Sequence, residues 1–256
     1  MKPFIFSWIT LFCCSLGSAV WGQNPVVRTL NPELAARAKT LNPEYLVFQV
    51  APKSAPPRPM VIYLHGAGGV GDSIQKIRGQ AGQIVRGIAQ FKKQPCLVVA
   101  PQVSRKHRQP GGWIPAHLNL LMQELKATLP VDGKRIYLTG NSMGGYGSWT
   151  WGGLHPEHFA AIAPVSGGIG PDGPKDVTPQ LEQWAAKLAT VPVYAFAGGK
   201  DRVVPAERSH RMIAAIRKAG GKQAQLKIYP DEGHGAGRVA FADAALYEWL
   251  FARQRP

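Results

Sequence analysis

The chain has 256 residues, 45% hydrophobic and 18% charged, with 30 Lys plus Arg against 15 Asp plus Glu and a formal charge of +15. That apolar share excludes a disordered chain, and 29 Gly with 22 Pro but no G-X-Y period exclude collagen. The length suits one or two domains with a core that needs no staples, and the charge excess raises the question of whether the chain binds nucleic acid or an anionic surface or is merely basic.

The chain opens with Lys2, an uncharged run over 3–20, and Val20-Trp21-Gly22, which puts a small residue at a cleavage position. This pattern predicts a signal peptide over 1–22 and therefore a secreted or periplasmic protein. The alternative is an uncleaved anchor, since the apolar run approaches spanning length. A lipoprotein anchor at Cys13 or Cys14 is weaker, because Phe12 stands where a small residue is expected. Removal of the leader leaves Cys96 as the one cysteine, so no internal disulfide can form. Cys96 begins the apolar run Cys-Leu-Val-Val-Ala and reads as buried and inert.

Residues 23–58 form a Pro-punctuated lead-in with one expected strand at 45–50, and residues 59–256 the main α/β domain. Strands are expected at 59–64, 96–100, 135–139, 159–165, 191–196 and 224–229. Helical spacing occupies 113–129, a Gly/Ser-rich stretch ending at His155, and 179–189, 206–219 and 239–253. This alternation predicts βαβ units and a doubly wound, mostly parallel sheet.

Gly140-Asn141-Ser142-Met143-Gly144 stands between an expected strand and an expected helix and fits G-x-S-x-G. Such a turn lifts a serine hydroxyl above the sheet edge, and its glycines remove Cβ atoms that would clash there. A nucleophilic serine needs a base, and the base needs an orienting acid. Asp201 follows the strand at 191–196 and His234 follows the strand at 224–229. Both therefore lie in loops at carboxyl ends of parallel strands, on the same sheet edge as Ser142. Asp231 and Glu232, in the loop of His234, are the rivals of Asp201.

His65-Gly66-Ala67-Gly68-Gly69 follows the strand at 59–64 and suits an oxyanion loop. Two aimed N–H groups are required. Met143, next to the nucleophile, is one candidate, and Ala67 the other, with Gly66 as second choice. His65, Gly68 and Trp113 are candidates for the substrate pocket, although His65 suits shaping the loop better than acting as a base. The run Gly66-Ala-Gly68-Gly-Val-Gly71 also fits a dinucleotide fingerprint, but no acidic residue lies between Asp72 and Glu124 to hold a ribose. No HExxH, CxxC or EF-hand spacing is present, so neither a metal nor a cofactor is implied.

With these stretches in place, the chain resembles the α/β-hydrolase superfamily, and more narrowly secreted carboxylesterase/phospholipase, dienelactone hydrolase-like and polyhydroxybutyrate depolymerase-like proteins. The carrying motifs are Val61-Ile-Tyr-Leu-His-Gly-Ala-Gly-Gly, Val98-Val-Ala-Pro-Gln, the Ser142 elbow, Gly198-Gly-Lys-Asp-Arg-Val-Val-Pro and Tyr229-Pro-Asp-Glu-Gly-His. The resemblance implies a Ser142, His234 and Asp201 triad that cleaves carboxylic esters. Gly235-Ala-Gly-Arg after the histidine departs from the Asp/Ser-Trp of many relatives. Only 59 positions separate Ser142 from Asp201, which leaves little room for a cap, and 166–179 is the expected rim loop. A serine peptidase of prolyl-oligopeptidase type and an inactive surface-binding relative are the alternatives.

Residues 73–123 hold eight Lys or Arg and no acid. This stretch is either a solvated face or a dock for an anionic polysaccharide or envelope surface. Its sparse aromatics and the absence of a recognition motif argue against nucleic acid.

Overall fold

The computed structural model describes residues 24–50, 57–171 and 173–256. The expected leader at 1–22 lies outside them. None of the described helices is long and apolar enough to cross a membrane.

The lead-in contains more structure than the one expected strand. It forms β1 (Val26–Thr29), α1 (Pro32–Arg37) and β2 (Leu41–Val50). Asn31 caps α1 by accepting the Glu33 N–H, and Pro32 stands at the first helical position, which needs no amide proton. β2 reaches back past Pro43, and its register to the neighbouring strand shifts between Leu41 and Tyr45, where a proline is tolerated.

The remaining strands are β3 (Arg58–Leu64), β4 (Cys96–Val103), β5 (Val131–Asn141), β6 (Ala161–Val165), β7 (Val193–Gly198) and β8 (Ala224–Tyr229). One sheet of order β1-β2-β4-β3-β5-β6-β7-β8 results, with β1 and β2 antiparallel at one edge and β3 to β8 parallel. The strand period of two divides β3 between the faces: Met60, Ile62 and Leu64 enter one buried cluster, Val61 and Tyr63 the other. The first cluster lies under α3 (Pro115–Thr128), α4 (Met143–Leu154), α5 (Leu181–Leu188) and α6 (Glu207–Lys218). The second lies under α2 (Arg78–Phe91) and α8 (Ala244–Phe251). Apolar burial on both faces is the main stabilising contribution.

Two helical details depart from expectation. α2 was not legible as a helix, although Ala81, Ile84, Val85 and Ile88 line its buried side. The expected closing helix at 239–253 is two helices, a short α7 (Ala236–Ala240) and α8. Asp243 separates them, because its carboxylate accepts the Ala245 N–H and starts a new helix.

Cys96 is fully buried and unbridged, and burial pushes its thiol well above the ordinary range. Cys96 is therefore expected to resist a thiol reagent such as iodoacetamide in the folded chain and to be modified only on unfolding, as read by peptide mapping. Rapid modification of Cys96 in folded protein at neutral pH would contradict this.

Candidate active site

β5 ends at Asn141 and α4 starts at Met143, so Ser142 occupies the whole turn, with φ 57° and ψ −114°. A side-chain-bearing residue at positive φ is strained and persists only where its surroundings enforce it. Enforcement comes from the Ser142 N–H to Val165 O bond (2.9 Å) and the Tyr146 N–H to Ser142 O bond (2.9 Å). A Cβ on Gly144 would overlap Leu64 O, and one on Gly140 would overlap Gly144 O. The glycines of the motif thus let the elbow pass between β3 and β5.

Asp201 follows β7 and His234 follows β8. Their loops are laced together, with Lys200 N–H donating to Glu232 O at 2.9 Å and Gly199 N–H to Tyr229 O at 2.8 Å. Ser142 Oγ stands 2.8 Å from His234 Nε2, and His234 Nδ1 2.9 Å from Asp201 Oδ2. A carboxylate only accepts, so the imidazole proton sits on Nδ1 and Nε2 is left to accept from the serine hydroxyl. The second carboxylate oxygen of Asp201 accepts the Val203 and Val204 N–H groups, both at 2.9 Å. The Asp201 side chain is 0% exposed, while His234 keeps 30% exposure toward the opening. The rivals stand elsewhere: Asp231 is 89% exposed and pairs with Lys200, and Glu232 pairs with Arg238 at 3.5 Å.

Ser142 opens into a cavity of about 280 Å³, shared with Ala67, Met143 and Tyr146. Ala67 and Met143 are the first residues of a 3₁₀ turn (Ala67–Gly69) and of α4, so neither N–H has an intrahelical acceptor. Gly66 lies against the elbow, its Cβ position 3.3 Å from Asn141 O. The rim residues Gly168, Gly170, Pro171, Gly173 and Pro174 fall within the expected loop.

Three pocket candidates are corrected. Trp113 does not line the cavity: it is 1% exposed and packs against Gly147, whose Cβ position lies 2.8 Å from the indole. His65 is also fully buried and lies behind the loop, where its ring nitrogens face Gly66 O and Val103 N–H. Gly68 is exposed on the outer side of its turn and does not line the cavity. Arg108, Tyr146, Val203 and Val204 line it and were not foreseen. Tyr146 stands four residues after Ser142, one helical turn on, which is a signal that was available.

Outside this site, His155, Glu157 and His158 offer ligand atoms within 4.8 Å of one another. The donors are already engaged. Trp151 Nε1–H donates to Asn119 Oδ1 at 2.7 Å, which turns the Asn119 NH₂ toward His155 Nε2 at 2.9 Å. His155 must then donate from Nδ1, and does so to Glu157 Oε1 at 3.1 Å. This is a satisfied polar cluster closing the end of α4.

The dienelactone hydrolase family profile matches residues 100–242, more than half of the chain. The chain belongs to the dienelactone hydrolase family. A Yersinia pestis protein named as a candidate carboxymethylenebutenolidase is 28% identical over 203 residues, covering 70% of this chain and 68% of the relative. Among solved structures, a thermostable esterase aligns with TM-score 0.71 and 26% identity over 90% of this chain, which spans 63% of that protein. A Pyrococcus horikoshii acylaminoacyl peptidase aligns with TM-score 0.60 and 15% identity over 90% of this chain and 41% of its own, a likeness of fold.

Proposed function

We propose that this dienelactone hydrolase-family protein is a serine hydrolase of carboxylic esters. Ser142 attacks the acyl carbon while His234 Nε2 takes its proton, and Asp201 holds the imidazole tautomer and stabilises the imidazolium. The Ala67 and Met143 N–H groups receive the oxyanion. His234 returns the proton to the leaving alkoxide, water enters, and the same steps in reverse release the acid. The observation that carries this reading is the unbroken chain from Ser142 Oγ through His234 to Asp201 at hydrogen-bond distance, opening into a cavity. Family membership and the esterase neighbour support it. Fluorophosphonate labelling followed by peptide mapping tests it: the adduct is expected on Ser142, and an unlabelled Ser142 in folded protein rejects it. Turnover of p-nitrophenyl esters against peptide anilides separates esterase from peptidase.

Arg108 is exposed at the cavity and has no ion pair among the described residues. A guanidinium there favours esters that carry a carboxylate. Arg108→Ala is expected to raise KM about 10- to 100-fold for a carboxylate-bearing ester, an amount typical of one charge-assisted contact, and to move KM for a neutral ester far less. Equal effects on both would remove this role.

The reading extends to an exported enzyme, supported by the pattern at 1–22, and to docking on anionic polysaccharide or envelope, supported by the acid-free basic stretch 73–123. Mass measurement of the mature N-terminus and salt-dependent retention on polygalacturonate test these two points.

A further inference from the structure

His65 ends β3 and is completely buried, yet it has no place in the cavity. Its two ring nitrogens have unlike partners. Nε2 lies 3.0 Å from the Val103 amide, which can only donate, so Nε2 accepts and the ring proton sits on Nδ1. That proton is donated to Gly66 O at 2.7 Å. Burial also lowers the imidazole pKa to about 4, which keeps the ring neutral in this tautomer at neutral pH.

Gly66 O and Ala67 N–H belong to one planar peptide and point in opposite directions. A group that holds the carbonyl therefore fixes the aim of the amide. Gly69 N–H also reaches Gly66 O at 2.9 Å, but from within the same loop. His65 is the link to the sheet, through Val103 at the end of β4. Trp113 Nε1–H holds the preceding peptide by donating to His65 O at 3.2 Å, and its ring packs on the imidazole with centroids 4.8 Å apart. Gly69 leaves room for the ring, since a Cβ there would lie 2.5 Å from His65 Cγ.

We infer that His65 is a positioning residue of the oxyanion hole, whose Nδ1–H holds the Gly66–Ala67 peptide so that Ala67 N–H faces the acyl oxygen. The inference rests on the ester-hydrolase reading. Asparagine and glutamine separate the two ring nitrogens. Asn places its amide nitrogen near the Nδ1 position and can still donate to Gly66 O. Gln reaches the Nε2 position and can accept from Val103 N–H, but leaves Gly66 O without its side-chain donor.

The experiment measures kcat and KM for a p-nitrophenyl ester, Ki for a trifluoromethyl ketone whose hemiketal oxyanion occupies the hole, and melting temperature. His65→Gln is expected to lose about 10- to 100-fold in kcat, below the cost of deleting an oxyanion donor outright. Its KM stays within about twofold and its Ki weakens in step with kcat, as for an interaction made in the transition state. His65→Asn is expected to recover most of that loss. An Asn variant as poor as Gln, or a Gln variant impaired only in KM or in melting temperature, overturns the inference. Trp113→Phe keeps an aromatic ring at the buried site and removes the donor to His65 O, with the melting temperature reading the packing lost with the larger indole. It carries the same readouts if the His65 variants do not fold, with a several-fold loss in kcat and Ki expected and an unchanged Ki overturning the inference. Wild-type protein without Ser142-dependent hydrolysis would strike the esterase reading itself. An active wild type with an unimpaired Gln variant strikes the role of His65 alone.

Discussion

Ser142→Ala is expected to reduce kcat for ester hydrolysis by about 10⁴- to 10⁶-fold, the range seen when a nucleophile that acts as one unit with its base is removed. Neither serine beside the elbow can stand in. Ser148 Oγ donates to Gly144 O at 2.8 Å inside α4, and Ser166 is buried behind the elbow. The fold should survive, because the bonds that hold the turn involve the backbone of Ser142 and not its side chain. Ser142→Gly makes a sharper companion. Glycine takes positive φ without strain, so this variant should be as inactive as the alanine variant and about 1–3 kcal/mol more stable, the usual cost of one strained residue. Activity and thermal unfolding measured on the same samples check both halves. Residual turnover near wild type in Ser142→Ala would remove the acyl-enzyme mechanism, and a Gly variant melting below wild type would show that the turn stores no strain.

The meeting of Ser142, Asp201 and His234 was legible because each stands just after a strand whose apolar character is local. Parallel strands then carry Ser142, Asp201 and His234 to one edge without further information. What stayed hidden depends on contacts between distant segments. α2 is weakened as a pattern by Gly79, Gly82 and Gly87, and Gly87 is small because a Cβ there would run into the Tyr247 ring of α8. A helix whose composition is set by its neighbour cannot be recognised from its own propensity. Trp113 and His65 sit beside the right loop, but their direction follows from packing on Gly147 and from the bond to Val103, which only the folded chain brings near. Arg108 and Val203 reach the cavity from loops after β4 and β7, and neither neighbouring sequence announces it. The edge strands β1 and β2 were partly missed for a related reason. β1 is exposed along its length and lacks a buried alternation, so its pairing with β2 is what defines it.

Asp201→Asn is expected to lower kcat by about 10³- to 10⁴-fold while leaving the fold and the Ser142 position intact. The direction follows from the hydrogen bonds at Asp201. Its Oδ1 accepts from two backbone amides, Val203 and Val204. An asparagine must place its carbonyl oxygen there, since an NH₂ group would face two donors. Its NH₂ then points at His234 Nδ1, which has to become the acceptor, and the imidazole proton moves to Nε2. In that tautomer His234 cannot take the Ser142 proton, although Oγ and Nε2 remain neighbours. The loss should appear in kcat with little change in KM, and fluorophosphonate labelling should slow in proportion, because both need the serine deprotonated. Asp231→Asn is the control: its carboxylate is solvent-exposed and pairs with Lys200, so that substitution should leave kcat within about twofold, as for surface pairs generally. The reverse pattern, an active Asp201→Asn with an inactive Asp231→Asn, would reassign the acid to the histidine's own loop. That outcome would require the His234 loop to rearrange in solution, since Asp201 Oδ2 already lies 2.9 Å from Nδ1.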